Sequence, residues 1–223
     1  PTWRGFGFDA SYWWSKALDL GANYVSTAAG DDARNVYNQQ ESDVRGDLKG
    51  PSSFDQSHAA MGRWRYEWKR WTVQGVMLAK TGIPFAVITG SDGPGFGNTD
   101  GANGDRPDLI DPSVLGRTIG HPDTARQLLP RSAFRYLALG EARGNLGFNT
   151  FRRGGILNIN ASLGRSWRIY KEQTLSLRIE SNNLGNRPQF AEPVNDLSNP
   201  AFGMITNTLN DGRTFHFNLA FKW

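Results

Sequence analysis

Three histidines, His58, His121 and His216, have the broadest chemical reach in a 223-residue chain that contains no cysteine. Without cysteine there is no disulfide framework, no thiolate zinc site and no cysteine nucleophile. The histidines do not stand at metal-ligand spacing. His58 and His216 fall in alternating apolar and polar runs and His121 in a long polar connection, so structural or solvated roles are expected for all three. No nucleophile elbow accompanies the serines, and no enzymatic activity is expected. A second candidate is the oxygen-rich stretch Asn98–Asp108, NTDGANGDRPD. Calcium takes about six to eight oxygen ligands in flexible loops, and Asp100, Asn103, Asp105 and Asp108 offer part of such a set. Ala102 stands where an EF-hand would need a ligand, and Asn, Asp and Gly equally favour plain turns. The glycine run Gly90–Gly97 lacks the Lys-Ser/Thr pair and the following helix of a phosphate loop, and reads as an external loop. Calcium apart, no cofactor is expected.

The composition narrows the elements that must carry these residues. Hydrophobic residues make up 38% of the chain and aromatics 12%, with 8 Trp and 26 Gly. No apolar run approaches the roughly 20 residues of a spanning helix, and mean hydropathy is −0.53. That is too little aliphatic residue and too much Trp, Gly and Asn for an ordinary soluble core. The net charge of +4 comes from scattered Lys and Arg, so no nucleic-acid partner is expected. The sequence opens at Pro1 without an initiator Met or a signal peptide, as a processed product or a fragment would.

The strongest pattern is strict alternation, which a strand with one apolar and one polar face requires and a helix cannot use. Phe215, Phe217, Leu219, Phe221 and Trp223 alternate with Thr214, His216, Asn218, Ala220 and Lys222. The same period runs through Phe6–Trp14, the segment starting at Ile156, and Thr174–Glu180. A run from about Gln56 to Trp68 places Ala60, Trp64, Tyr66 and Trp68 opposite Arg63, Arg65 and Glu67. A sixth run, from about Thr72 to Thr81, is Val-rich but ambiguous in its faces.

Six strands of about ten residues leave connections whose lengths alternate. Residues 18–54, 82–153 and 185–212 are long and polar; 69–71 and 168–173 are short. Such links argue against a compact soluble domain but suit an outer-membrane barrel, with short periplasmic turns and long external loops. On that topology Trp3, Trp64, Trp68, Trp71, Trp167 and Trp223 fall near the short-turn end, and Trp13 and Trp14 near the long-loop end. Trp favours membrane–water interfaces because its ring is apolar and its N–H still needs a partner. Phe215, Phe217, Leu219 and Phe221 are assigned to lipid. The face carrying Arg63, Arg65, Glu67, Arg178 and Glu180 is assigned to a wet lumen. The fold class expected is therefore all-β: an antiparallel transmembrane β-barrel segment of about six strands with three long external loops, spanning 1–223 as one unit. A secreted β-sandwich is the competing reading.

Several stretches carry a family likeness: Phe8–Leu18 (FDASYWWSKAL), Ser53–His58 (SFDQSH), Val73–Phe85 (VQGVMLAKTGIPF), Gly104–Asp108 (GDRPD), Gly144–Gly147 (GNLG), Glu180–Asn186 (ESNNLGN) and Asn199–Gly203 (NPAFG). In this order, over nearly the whole chain, they resemble the C-terminal barrel region of TonB-dependent outer-membrane receptors, in particular the Oar-like subgroup. Trp223 resembles the terminal aromatic of the barrel assembly signal, where Phe is commoner. The resemblance implies a barrel of about 22 strands, an N-terminal plug and a TonB-contacting segment, and the last two have no counterpart here. Six strands fall short of the roughly eight needed for closure. Open edges cannot face lipid, where each unpaired backbone group costs several kcal/mol. The partners expected are the remaining strands of the barrel, from the same polypeptide or another chain, with outer-membrane lipid and lipopolysaccharide around them. The TonB system would be reached only through a segment outside these residues. The resemblance implies import of an unidentified ligand; the alternative is a structural barrel that anchors a surface assembly or partner protein.

Overall fold

The computed structural model describes residues 5–19, 49–89, 106–139, 141 and 144–223. Six long strands form one sheet: β1 (Phe6–Trp14), β2 (His58–Trp68), β3 (Trp71–Lys80), β4 (Ile156–Tyr170), β5 (Gln173–Asn182) and β6 (Thr214–Lys222). They lie side by side in chain order, every pair antiparallel. The shortest run is 9 residues, within the roughly 9–11 that a tilted strand needs to cross a bilayer.

Two-residue turns join β2 to β3 and β4 to β5. Each begins with a lysine in the left-handed region, Lys69 at φ 55° and Lys171 at φ 47°, stacked on the aromatic residue before it. The sheet is also staggered. β4 pairs with β3 over Ile156–Arg165 but with β5 over Ala161–Tyr170. Such a shift of register is what lets a sheet tilt its strands and curve toward a barrel.

Register fixes the two faces, because residues directly opposite one another share a side. One rung runs Phe6, Tyr66, Val73, Leu163, Ile179 and Phe217. The next residue along each strand gives Gly7, Arg65, Gln74, Ser162, Glu180 and His216. This settles β3, whose pattern alone is ambiguous: Val73, Gly75, Met77 and Ala79 join the apolar face, while Gln74, Val76 and Leu78 face the other way. Among the described residues no protein layer covers the apolar face, and Phe217 and Leu219 are 72% and 69% exposed. A patch of this extent is untenable in water.

The buried core lies elsewhere. The described parts of the connections, 82–89, 106–153 without 140, 142 and 143, and 183–213, pack together into a cap around Phe85, Val87, Ile119, Phe134, Phe151 and Phe202. The cap holds the helix α1 (Pro122–Leu128), 3-10 turns at Pro112–Val114 and Arg131–Ala133, and a three-stranded sheet of Pro84–Phe85, Phe151–Arg153 and Thr118–Ile119. The sequence reading of these links as long polar loops does not foresee these elements. Their elements span two to seven residues, too few to display a period. Strand limits also move. β2 begins at His58, β3 at Trp71, and β4 continues to Tyr170, so Trp71 and Trp167 belong to strands and the turns shrink to 69–70 and 171–172.

Candidate functional site

The polar face of the sheet borders a cleft of about 680 Å³. β1 and β2 bring Asp9 to 3.7 Å from Arg63 across the strand pair. Within β5, Arg178 and Glu180 are two residues apart, hence on one face, and meet at 2.8 Å. Arg65 donates to Glu67 at 2.9 Å in the same way along β2. All these side chains are well exposed, so the pairs add little stability. What they provide is a hydrated surface of mixed charge, suited to polar solutes. His216 stands opposite Glu180 on this face. Higher up the face becomes apolar, with Met61 opposite Leu78 and Trp13 opposite Ala59.

At the strand ends next to the cap, a cavity of about 520 Å³ lies between sheet and cap, bordered by Tyr12, His58, Thr81, Thr118 and Arg152. The Tyr12 hydroxyl lies 2.7 Å from His58 Nδ1. Beside it the cap is fastened by an ion pair whose carboxylate is buried and whose guanidinium is partly exposed. The Arg152 guanidinium grips the Asp55 carboxylate and donates to the carbonyls of Asp55 and Gly82. Asp55 is 2% exposed and also accepts the Ala17 N–H at 2.8 Å. Burial pushes this carboxyl up, but the Ala17 N–H, the Arg152 guanidinium and the Ser57 hydroxyl together hold it below its ordinary 3.8. One cluster thus ties the ends of β1, β2 and β3 to the cap.

The residues singled out by sequence are dispersed. Asp100, Asn103 and Asp105 lie outside the described residues. Asp108 is engaged by the Arg135 guanidinium and the Asn145 N–H, and no cluster of metal-ligating groups occurs among the described residues. The neighbouring Arg106 is fully buried and donates to the Leu146 carbonyl at 2.8 Å, so Arg106 and Asp108 carry structural roles within the cap. His121 caps α1 and packs edge-on against Phe190.

Trp3 also lies outside the described residues. Trp68 and Trp71 face each other at the first turn; Trp167 and Phe221 flank Leu175 on the apolar face; Trp223 follows β6. Trp14 lies on the apolar face at the cap end. Trp13 lies at the cap end as well but points to the polar face, because pleating sends neighbours to opposite sides. One placement is corrected. Trp64 sits mid-strand, opposite Phe8 and Gly75, rather than at the turn. Phe215, Phe217, Leu219 and Phe221 all lie on the apolar face, exposed.

Sequence reasoning missed the Asp55–Arg152 pair and the setting of Arg165. Asp55 and Arg152 are far apart in the chain, and no local spacing announces them. Arg165 breaks the apolar alternation of β4, and that break was a readable signal. A comparison with curated proteins returned no match. The profile of an outer membrane beta barrel domain matches residues 1–216. That match spans β1 to β5 and the first three residues of β6, and it accounts for the exposed apolar face, the staggered antiparallel sheet and the hydrated opposite face. The chain belongs to the outer membrane beta barrel domain family and resides in the outer membrane.

Proposed function

We propose that this chain is one section of the wall, with part of the outer cap, of a barrel that imports a ligand by a TonB-dependent route. The observation that carries this reading is the continuity of a hydrated, mixed-charge face with a folded, fastened cap at the strand ends joined by the long connections. A lumen under a structured cap suits capture and passage of a polar solute. A purely anchoring wall needs no such lining. The ordered motif resemblance points the same way. Beyond β1 and β6 no strand pairs among the described residues, and edges left open in lipid are too costly to persist. Further strands, from the same polypeptide or another chain, complete the barrel in this reading, and phospholipid and lipopolysaccharide surround it. The role is non-catalytic.

Two experiments test it. The intact polypeptide, purified from outer membranes, should be retained by the immobilised periplasmic domain of TonB; failure to bind rejects TonB-dependent import and leaves the anchoring role. Orientation is tested with introduced thiols, since the chain has no cysteine. Leu139→Cys, in a cap position that is 84% exposed, should react with a membrane-impermeant maleimide on whole cells, and Lys171→Cys should not. The reverse pattern would invert the topology.

A further inference from the structure

Arg165 is a cation on the face otherwise given to Phe, Leu and Val. It stands directly opposite Trp71 on β3 and Leu177 on β5. Its guanidinium carbon lies 4.7 Å from the Trp71 ring centroid and 5.1 Å from that of Trp167, so the group is in cation–π contact with both indoles. No carboxylate approaches it among the described residues. Its Nε is buried and has no hydrogen-bond partner. The level is that of the short turns, where Trp68, Trp71, Trp167, Phe221 and Trp223 gather. Aromatic belts of this kind mark the depth of lipid headgroups.

An unpaired charge on this face needs an anion, and the surroundings specify which. A guanidinium presents its N–H groups as a planar fork that matches two oxygens of a phosphate. Contact with two indoles restricts the rotation of the fork. The apolar wall beyond, Leu163, Leu177 and Leu219, offers contact to acyl chains but no donor for a free ion. We propose that Trp71, Arg165 and Trp167 form a binding site for the phosphate of a membrane phospholipid on the short-turn side of the wall. This rests on the apolar face being the lipid-facing one. Arg165 supplies the charge-assisted hydrogen bonds, and the indoles cover the glycerol region.

The test uses the full polypeptide in a non-ionic detergent, titrated with short-chain phosphatidylglycerol and followed by Trp emission and native mass spectrometry. Arg165→Gln should weaken binding about tenfold, the loss appropriate to one charge-assisted pair. Arg165→Lys, which keeps the charge without the fork, should lose less. A neutral diacylglycerol of the same chain length should bind the wild type about as weakly as phosphatidylglycerol binds Arg165→Gln. Inorganic phosphate at equal concentration should not compete. Equal affinity of wild type and Arg165→Gln would overturn the site, and so would equal binding of the neutral lipid. Competition by inorganic phosphate would overturn the membrane source. Leu163→Arg separates the two readings. If it fails to destabilise the protein in vesicles, the face assignment is wrong. If it does destabilise while Arg165→Gln binds lipid normally, only the phosphate site is wrong.

Discussion

Gly75 has the Trp64 indole lying across it on the apolar face, where an added Cβ would overlap the ring. The aromatic ring supplies the contact that the missing side chain cannot, as aromatic neighbours do for strand glycines. Gly75→Val should force the indole out of place and cost about 1–3 kcal/mol, the usual penalty of overpacking; urea unfolding in vesicles measures it. At the other end, Asp55 governs how the cap is held. Removing the carboxylate leaves Arg152, which is 32% exposed and keeps the Asp55 and Gly82 carbonyls as acceptors, so the loss is that of a charge-assisted hydrogen bond, about 1.5–3 kcal/mol. Asp55→Ala should therefore loosen the cap and leave the strands paired, read as raised proteolysis between Pro84 and Arg153 with unchanged strand content. The same contact is acid-sensitive. A carboxyl held below its unfolded value adds stability at higher pH and loses it as pH falls through the folded value. Asp55 is shifted downward from 3.8, so the cap should be firmly attached at neutral pH and release only below about pH 4. Release between pH 6 and 8 would assign the fastening to another group.

The six strands were legible because a strand between lipid and water must alternate, and the alternation of β1, β4, β5 and β6 is nearly unbroken. β3 was not, since Val76 and Leu78 are apolar yet point inward, and only pairing with Arg63 and Met61 reveals it. The length of β4 was concealed by Arg165, which interrupts its apolar face. The cap was illegible for a different reason: its core is assembled from residues as far apart as Phe85 and Phe202, and contacts at that separation leave no local period. The polar lining of the candidate lumen could be read from β2 and β5, whereas the Asp55–Arg152 fastening could not. The face assignment makes its own prediction for β4, which is paired on both sides. Leu163 and Ser162 are neighbours on opposite faces. Leu163→Arg should destabilise the protein in lipid vesicles by about 2–4 kcal/mol near the midplane, and Ser162→Arg by clearly less, since there the charge stays hydrated. Equal effects would mean that the alternation does not separate lipid from lumen.

As a whole, the molecule keeps its buried hydrocarbon in the cap and its exposed hydrocarbon on the wall. Phe85, Phe134, Phe151, Leu197 and Phe202 are covered by protein, whereas the apolar residues of β1 and β6 are exposed among the described residues and, in the proposed reading, are covered by the membrane. These two kinds of burial respond differently to heat. Melting the cap wets its core, and newly hydrated apolar surface raises the heat capacity. The wall stays in hydrocarbon as long as the bilayer does, so its strands gain no such hydration. Scanning calorimetry in vesicles should therefore find an early transition with a clear upward step in the baseline, across which the circular dichroism of the strands barely changes. One transition taking cap and strands together would mean that the two layers stand or fall as a unit. Two would mean that the cap can melt and re-form on a wall that stays assembled, a thermal hinge between a water-made core and a lipid-made sheet.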